Sequence, residues 1–311
     1  MPKVLYAGAD SARESYAREL TAGFAEAGVA AELVFDAPDP AAIDYIVYAP
    51  ASGLRDFTPF TNTRAVLSLW AGVETIVGNR TLTQPLTRMV DPGLTEGMRE
   101  WVTGHVLRHH LGMDAHITGQ DGVWRGDRPA PLARHRPVAV LGLGALGTTC
   151  ARALAGLGFP VTGWSRAPRA VDGVDCRHGV EALAQVLSGA QILVLLLPAT
   201  PETDGLMNAE RLALLPPGAV IVNPGRGSLI DEPALLAALD SGRVGHATLD
   251  VFRTEPLPPG HPFWAHPRVT VTPHIASATR PETAARAIVR NISRAERGEP
   301  LEHVVDRARG Y

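Results

Sequence analysis

Three polar residues in the last third of the chain carry side chains suited to acid–base chemistry: Arg226, Glu255 and His274. Each follows a short apolar run that is typical of a buried strand. A guanidinium can bind two acceptor oxygens at once, and an imidazole can give or take a proton near neutral pH. A carboxylate beside that imidazole would favour its charged form. Taken singly, each residue also has an ordinary structural explanation as a turn, a surface loop or a half-buried side chain.

A glycine-rich segment in the middle of the chain has the spacing of a dinucleotide-binding turn. The run VAVLGLGALG, residues 138–147, is an apolar strand that leads into GxGxxG and then into a predicted helix. The first glycine allows the tight turn, the second lets the backbone approach a pyrophosphate, and the third lets helix and strand pack closely. A methyltransferase or a nucleotide-free α/β domain is the alternative. The predicted cofactor contacts here are Gly142, Gly144, Ala145, Leu146 and Gly147.

The residues at the end of the next predicted strand favour NADP over NAD. Ser165 stands 18 residues beyond Gly147, where an NAD enzyme places Asp or Glu on the ribose hydroxyls. Neither Ser165 nor Arg166 is acidic, and an arginine can pair with a ribose 2′-phosphate. We therefore predict that both residues bind NADPH, with NAD left open as a second cofactor. The alternative is a surface Ser and Arg at a strand end.

Strand-like and helix-like runs alternate along the chain, which predicts parallel sheets covered by helices on both faces. From residue 138 onwards, strands are predicted at 138–143, 160–163, 191–197, 219–222, 246–251 and 269–272, and helices at 145–157, 180–188 and 231–241. Asp231 is the expected N-cap of the last of these helices and Gly242 its stop. Before residue 96, strands are predicted at 3–9, 29–35, 45–48 and 67–69, and a capping box at 11–14 opens a helix. Further helices are predicted at 96–111 and 281–297.

The overall composition excludes several classes of protein. The 311 residues are about twice a typical domain, and 45% hydrophobic with 20% charged residues is ordinary for a globular chain. A net charge of −3 offers no basic field for nucleic acid, and no apolar run approaches the ~20 residues of a membrane helix, so we expect neither partner. The N-terminus lacks the pattern of a secretory signal, and Cys150 and Cys176 make no disulfide framework. We expect a two-domain cytoplasmic protein.

The histidines of the predicted helix 96–111 do not form a metal site by their spacing. His105 and His109 are an i, i+4 pair, but no carboxylate or third histidine is suitably spaced around them. We therefore expect no metal.

The sequence around the three polar residues resembles the D-2-hydroxyacid dehydrogenase family. The resemblance is carried by NPGRGSLIDEPALLAALDSGRVGHATLDVFRTEPLPPGHPFWAHPRVTVTPHIA (223–276) and continues upstream through WAGVET (70–75), VLGLGALG (140–147) and LLLPATPET (195–203). Trp-Ser-Arg at 164–166 and the ending VDRARGY at 305–311 are similar to the glyoxylate/hydroxypyruvate reductase A subgroup. The resemblance covers nearly the whole chain.

The resemblance implies a role for each candidate residue. Arg226 matches the arginine that holds a 2-keto acid, His274 matches the proton donor, and Glu255 matches the acid that supports the histidine. Asp250 matches a residue near the nicotinamide carboxamide. The loop whose backbone amides hold the substrate carboxylate is matched by Ala71, Gly72 and Val73. The lining of the cofactor cleft is matched by Pro198, Thr203 and Asn223.

The resemblance also implies an architecture and a reaction. It implies an α/β protein of two Rossmann-like domains, each a doubly wound parallel sheet, with an active-site cleft between them. Residues 1–95 plus 278–311 would form a discontinuous substrate-binding domain, and residues 96–277 the NAD(P)-binding domain. The implied enzyme is a homodimer that reduces small 2-keto acids, such as glyoxylate and hydroxypyruvate, with NADPH. The alternatives are a dinucleotide-sensing binding protein of the same fold and another dehydrogenase of the family, such as a phosphoglycerate dehydrogenase-like enzyme.

The sequence departs from the family pattern at three places. Trp70 stands where we expect a small residue, and Glu74 where we expect Asp. Asn223-Pro224-Gly225 replaces the commoner sequence before the arginine, and Pro224 removes one backbone donor. These departures bear on the size of the substrate pocket and on the exact substrate.

Overall fold

A computed structural model of the chain describes residues 1–124, 126 and 129–310. Arg125, Asp127, Arg128 and Tyr311, the last residue of the 305–311 motif, lie outside the described residues. The chain divides into two compact units: residues 1–94 with 278–311 form unit 1, and residues 95–277 form unit 2. Each unit contains a parallel sheet of its own.

Unit 1 contains a five-stranded sheet in the order β2-β1-β3-β4-β5. The strands are β1 (Lys3–Ala7), β2 (Glu32–Val34), β3 (Tyr45–Tyr48), β4 (Ala65–Ser68) and β5 (Leu86–Thr87), and α1 (Arg13–Glu26) follows β1. The three central strands are apolar and almost wholly buried, as expected for a parallel sheet that is covered on both faces. The predicted capping box is wrong, because Ser11 lies in a 3-10 turn and α1 has no side-chain cap.

Two helices, α2 (Pro92–Leu111) and α3 (Met113–Ile117), precede the sheet of unit 2. Its strands are β6 (Val138–Leu141), β7 (Val161–Ser165), β8 (Asp175–His178), β9 (Ile192–Leu195), β10 (Ala219–Asn223), β11 (Val244–Leu249) and β12 (Val269–Val271). The helices between them are α4 (Ala145–Gly156), α5 (Val180–Gly189), α6 (Ala209–Leu214) and α7 (Glu232–Asp240). None of the helices among the described residues combines the length and the apolarity that crossing a bilayer requires.

The sheet of unit 2 is doubly wound, with the order β12-β11-β10-β9-β6-β7-β8. The chain runs from β6 outwards through β7 and β8, and then returns to place β9 on the other side of β6. Val140 of β6 therefore has Gly163 of β7 on one side and Val194 of β9 on the other. The strand order reverses at β6 and β9, and ligands bind at the carboxyl ends of strands at such a point.

Alternate residues of these strands enter two different cores. Leu141 and Leu193 pack with Leu183 of α5 in one core, whereas Val140 and Val194 pack with residues of α2 and α4 in the other. This two-sided burial confirms the predicted doubly wound α/β fold and explains why its central strands are continuously apolar.

The last helix, α8 (Pro281–Glu296), belongs to unit 1 and lies against α1. A Cβ on Gly23 of α1 would come within 3.1 Å of Val289 of α8, so the two helices approach closely at this glycine. At the end of α8, the Tyr45 hydroxyl donates to Glu296 Oε1 at 2.7 Å. The predicted final helix is thereby tied to the sheet of unit 1.

The predicted strands of unit 2 are confirmed with ends shifted by a few residues, and the predicted cap of α7 is confirmed as well. Asp231 Oδ1 accepts the Ala234 amide at 3.0 Å, and Gly242 follows the helix with φ +74°. Four helices and strands of the described residues were not predicted: α3, β5, β8 and α6. Strand β8 is polar because it lies at the edge of the sheet, where only β7 pairs with it, so it lacks the apolar signal of a central strand.

Candidate active site

A histidine and a glutamate form a close pair in the loops that follow β12 and β11. His274 Nδ1 lies 2.7 Å from Glu255 Oε2, and the other oxygen of Glu255 accepts the Phe252 amide at 2.9 Å. Half of the His274 side chain is exposed. With Nδ1 directed at the carboxylate, Nε2 is the ring nitrogen left for a reacting group, which is the arrangement of an oriented general acid.

The backbone at His274 is held in an unusual conformation. Its φ of +54° lies in the left-handed region, which non-glycine residues seldom occupy. The His274 amide donates to the Asp250 carbonyl at 2.8 Å. The Asp250 side chain accepts the amides of Ile275 at 2.9 Å and Ala276 at 2.8 Å, as well as the Thr272 hydroxyl. Asp250 therefore holds the loop that carries the histidine through several hydrogen bonds at once. Such multiple restraints are how a strained residue is maintained at a functional site.

Asp250 thus has an observed role that the sequence analysis did not anticipate. Its side chain is fully buried, and both of its oxygens bind the 272–276 loop. The predicted contact with a nicotinamide carboxamide stays a prediction, and the use of both side-chain oxygens by the 272–276 loop counts against a direct one. A buried acid directly after an apolar strand, followed later by Thr-Pro-His, is the signal in the sequence that could have revealed these hydrogen bonds.

Arg226 is presented by a tight turn after β10. Asn223 is buried, its Nδ2 donates to the Arg226 carbonyl at 2.9 Å, and its Oδ1 accepts the Gly225 amide at 3.1 Å. The backbone of Arg226 is extended, and its Nη1 donates to the Gly225 carbonyl at 2.6 Å. Asn223 was predicted to line the cofactor cleft, and what the structure shows is that its amide forms the turn that carries the arginine.

The arginine turn touches the loop that holds the glutamate. A Cβ on Gly227, next to Arg226, would overlap the backbone of Phe252, so the two loops are in backbone contact there. Phe252 in turn donates its amide to Glu255, which holds His274. The loops that carry the three candidate residues are therefore linked at the carboxyl edge of one sheet.

The glycine turn after β6 has the geometry that a dinucleotide requires. Gly142 has φ +106° and lies against the Leu196 carbonyl, which leaves no room for a side chain. Gly147 packs as closely on the Gly142 carbonyl. A Cβ on Gly144 would meet no atom within 4 Å, so the space beside this residue is open to a ligand. Helix α4 begins next to it, at Ala145, without a side-chain cap, which leaves its first amides for an anion.

The remaining predicted cofactor residues lie at the ends of β7 and β9. Ser165 Oγ donates to the Ala167 carbonyl at 2.8 Å, and Arg166 is exposed. The Thr203 hydroxyl donates to the Pro198 carbonyl at 2.7 Å, which closes the loop after β9. The pKa of Glu202 in this loop is lowered, mainly by a hydrogen bond from Thr200 and to a smaller extent by the positive charge of Arg166.

The predicted carboxylate-binding loop belongs to unit 1. Ala71 and Gly72 are half-buried, whereas Val73 is buried and its carbonyl accepts the amides of Ile76 and Val77. Trp70, directly before this loop, is 45% exposed. The contribution of the three residues to substrate binding stays a prediction.

Comparison with known proteins places these features in a family. The family model for the NAD binding domain of D-isomer specific 2-hydroxyacid dehydrogenases matches residues 103–276. Glyoxylate/hydroxypyruvate reductase A of Serratia proteamaculans is 42% identical over 260 residues, which cover 80% of this chain and 82% of that protein.

Solved structures are similar over the full length of the chain. A D-isomer specific 2-hydroxyacid dehydrogenase from Xanthobacter autotrophicus Py2, in complex with NADPH and MES, has a TM-score of 0.90 at 42% identity and covers 100% of this chain and 99% of its own. The NADPH-dependent glyoxylate/hydroxypyruvate reductase from Sinorhizobium meliloti, in complex with NADP and sulfate, has a TM-score of 0.85 at 36% identity, with 100% of both chains covered.

Proposed function

The chain belongs to the family of D-isomer specific 2-hydroxyacid dehydrogenases, and we propose that it uses NADPH to reduce small 2-keto acids, glyoxylate and hydroxypyruvate among them, to D-2-hydroxy acids. The observation that carries this proposal is the pair of His274 and Glu255, 2.7 Å apart, in loops linked to the turn of Arg226. A keto reduction needs a cation for the substrate and a proton for the new hydroxyl, and these side chains supply both.

The mechanism assigns one task to each side chain. Bound NADPH would supply the hydride that reduces the keto carbon. The planar guanidinium of Arg226 binds the carboxylate and keto oxygens through its fork of donors, which polarises the carbonyl. His274 gives its Nε2 proton to the keto oxygen as negative charge develops there. Glu255 orients the ring through its hydrogen bond with Nδ1.

The residues around the glycine turn support binding of NADPH. The open space at Gly144 and the uncapped N-terminus of α4 suit a pyrophosphate. Ser165 and Arg166 at the end of β7 would contact the ribose 2′-phosphate, since no acidic side chain stands there to reject it. The NADPH and NADP complexes of two similar structures favour the same cofactor.

We also propose that the enzyme is a homodimer. Several large apolar side chains in the segment from the end of α2 to the start of β6 are exposed: Leu111, Met113, Ile117, Val123, Trp124 and Leu132. A group of exposed apolar side chains in one segment is typical of a protein interface. A second copy of this chain is the partner that fits the family resemblance. The cytoplasmic location stays a prediction.

A substrate panel tests the proposed reaction. The purified protein is mixed with NADPH and one 2-keto acid at a time, and the loss of NADPH absorbance is followed, with NADPH alone as the control. We expect turnover with glyoxylate and hydroxypyruvate. NADPH binding without turnover on any 2-keto acid would overturn the proposal in favour of a dinucleotide sensor, and turnover only on phosphorylated substrates would favour the phosphoglycerate dehydrogenase-like alternative.

A further inference from the structure

Two histidines and an aspartate come together in unit 2. His109 lies near the end of α2, Asp114 in α3, and His246 in the middle of β11. One ring nitrogen of each histidine and one carboxylate oxygen all lie within 4.8 Å of one another, and the three residues are half-buried. The two imidazole rings are 4.7 Å apart, centre to centre. None of these residues belongs to the proposed catalytic or cofactor-binding machinery.

Each imidazole has a hydroxyl partner on one nitrogen. His109 Nε2 is 2.8 Å from the Thr248 hydroxyl, and His246 Nε2 is 2.9 Å from the Thr270 hydroxyl. A ring that donates its Nε2 proton carries its lone pair on Nδ1, and such a partner behind the ring is usual for histidines that bind metals. The neutral imidazole is the form of histidine that binds a metal ion.

The carboxylate is partly engaged by a neighbouring arginine. Arg108 Nε donates to Asp114 Oδ1 at 2.6 Å, which orients the carboxylate and leaves Oδ2 for another partner. The guanidinium charge is a cost for any cation bound here, since two positive charges repel each other. The charges of Arg108 and Asp114 roughly cancel. The ligand set therefore consists of two neutral imidazole nitrogens and one oxygen of a carboxylate that Arg108 also binds.

We propose that His109, Asp114 and His246 form a binding site for a divalent transition-metal ion, with Zn²⁺ as the reference ion. Two imidazoles and one carboxylate, with a fourth position left for water, are a ligand set that suits Zn²⁺. Mg²⁺ and Ca²⁺ prefer oxygen ligands and fit this set poorly. The ion would join α2 and α3, which are adjacent in the chain, to β11, which follows much later in the sequence. The site is independent of the proposed reductase activity.

Zinc binding by the whole protein tests the site. Zn²⁺ is titrated into the metal-free protein in competition with a chromophoric chelator, and Mg²⁺ serves as the control ion. We expect the wild type to bind one ion per chain. In His109→Ala and His246→Ala the affinity for Zn²⁺ should fall by more than about 100-fold. Thr248→Val keeps all three ligands and should weaken binding by about 10- to 100-fold, the usual effect of losing the group behind a ligand. His178→Ala, which removes an exposed histidine of β8, should bind as the wild type does.

The outcomes decide the proposal in either direction. Wild-type protein that takes up no Zn²⁺, or variants that bind it as tightly as the wild type, would overturn the site. Should the alanine variants fail to fold, a crystal of the wild-type protein soaked in Zn²⁺ gives the same decision. An anomalous peak between the three side chains supports the site, and a map with no peak there contradicts it. The melting temperature provides a further readout, since an ion that binds only the folded state raises it.

Discussion

His274 Nδ1 and Glu255 Oε2 lie 2.7 Å apart, although the two residues are 19 positions apart in the chain and follow different strands. Each partner is independently anchored: Glu255 by the Phe252 amide, and the histidine loop by the buried carboxylate of Asp250. The orientation of the imidazole ring is therefore fixed before a substrate binds. Such preorganisation is what a proton donor needs if it is to act as charge develops.

Replacing the proton donor should abolish most of the activity. His274→Ala is expected to lower kcat for glyoxylate reduction by about 10²- to 10⁴-fold, the usual contribution of a general acid. NADPH binding, measured by fluorescence, should be retained, because the glycine turn is separate from this loop. His178→Ala is the matched control and should turn over normally. Wild-type kcat in His274→Ala would refute the assigned role.

The glutamate should act through the histidine. Glu255→Gln removes a charge-assisted hydrogen bond that is worth about 1.5–3 kcal/mol, so kcat should fall roughly 10- to 150-fold. In His274→Ala the ring is absent, and adding Glu255→Gln should then cost little more. Steady-state kinetics of the four proteins in this double-mutant cycle measure the coupling. Fully additive losses would mean that Glu255 does not work through the imidazole.

The guanidinium of Arg226 should be irreplaceable by another cation. Arg226→Ala is expected to lose about 3–4 kcal/mol of transition-state stabilisation, by analogy with the loss of a donor to an oxyanion. Arg226→Lys keeps the charge but loses the planar fork, so it should recover only part of kcat/KM. An exposed arginine of β8, changed in Arg177→Lys, provides the control. Full activity in Arg226→Lys would show that charge alone suffices.

The preference for NADPH should depend on the residue after β7. Arg166→Ala removes a cation that would pair with the 2′-phosphate, at a cost of about 1.5–3 kcal/mol for a charged hydrogen bond. KM for NADPH should rise roughly 10- to 150-fold while KM for NADH changes little. Equal increases in KM for NADPH and NADH would mean that Arg166 does not contact the 2′-phosphate.

The exposed apolar segment should control the oligomeric state. Ile117 is 67% exposed, and a charge introduced there by Ile117→Asp would be costly to bury in an interface. Sedimentation velocity should show a dimer for the wild type and a shift to monomer for this variant. Val180→Asp changes an apolar residue that is 76% exposed on α5 and should stay dimeric. A dimer of unchanged affinity in Ile117→Asp would move the interface elsewhere.

Much of the fold could be read from local patterns. The apolar strand β6, the glycine turn and α4 follow one another within a short stretch, and each has a signature that depends only on near neighbours. The cap at Asp231 is equally local. Strand β8 escaped prediction because pairing with β7, and not its own composition, makes Asp175–His178 a strand. The predicted capping box at Ser11 is wrong because the chain forms a 3-10 turn at that position.

The residue types that could do chemistry were recognisable before any coordinates, because motifs in the chain mark Arg226, Glu255 and His274. Which side chains meet is a different matter. His109 and Asp114 lie close together in the sequence, but the second histidine of the cluster, His246 of β11, is brought to them only by the fold. Likewise, the hydrogen bonds of Asp250 to the 272–276 loop depend on β11 and β12 pairing in register. Helix and strand partners are selected by the burial of entire sheet faces, a property of the assembled core that no short segment of the chain encodes.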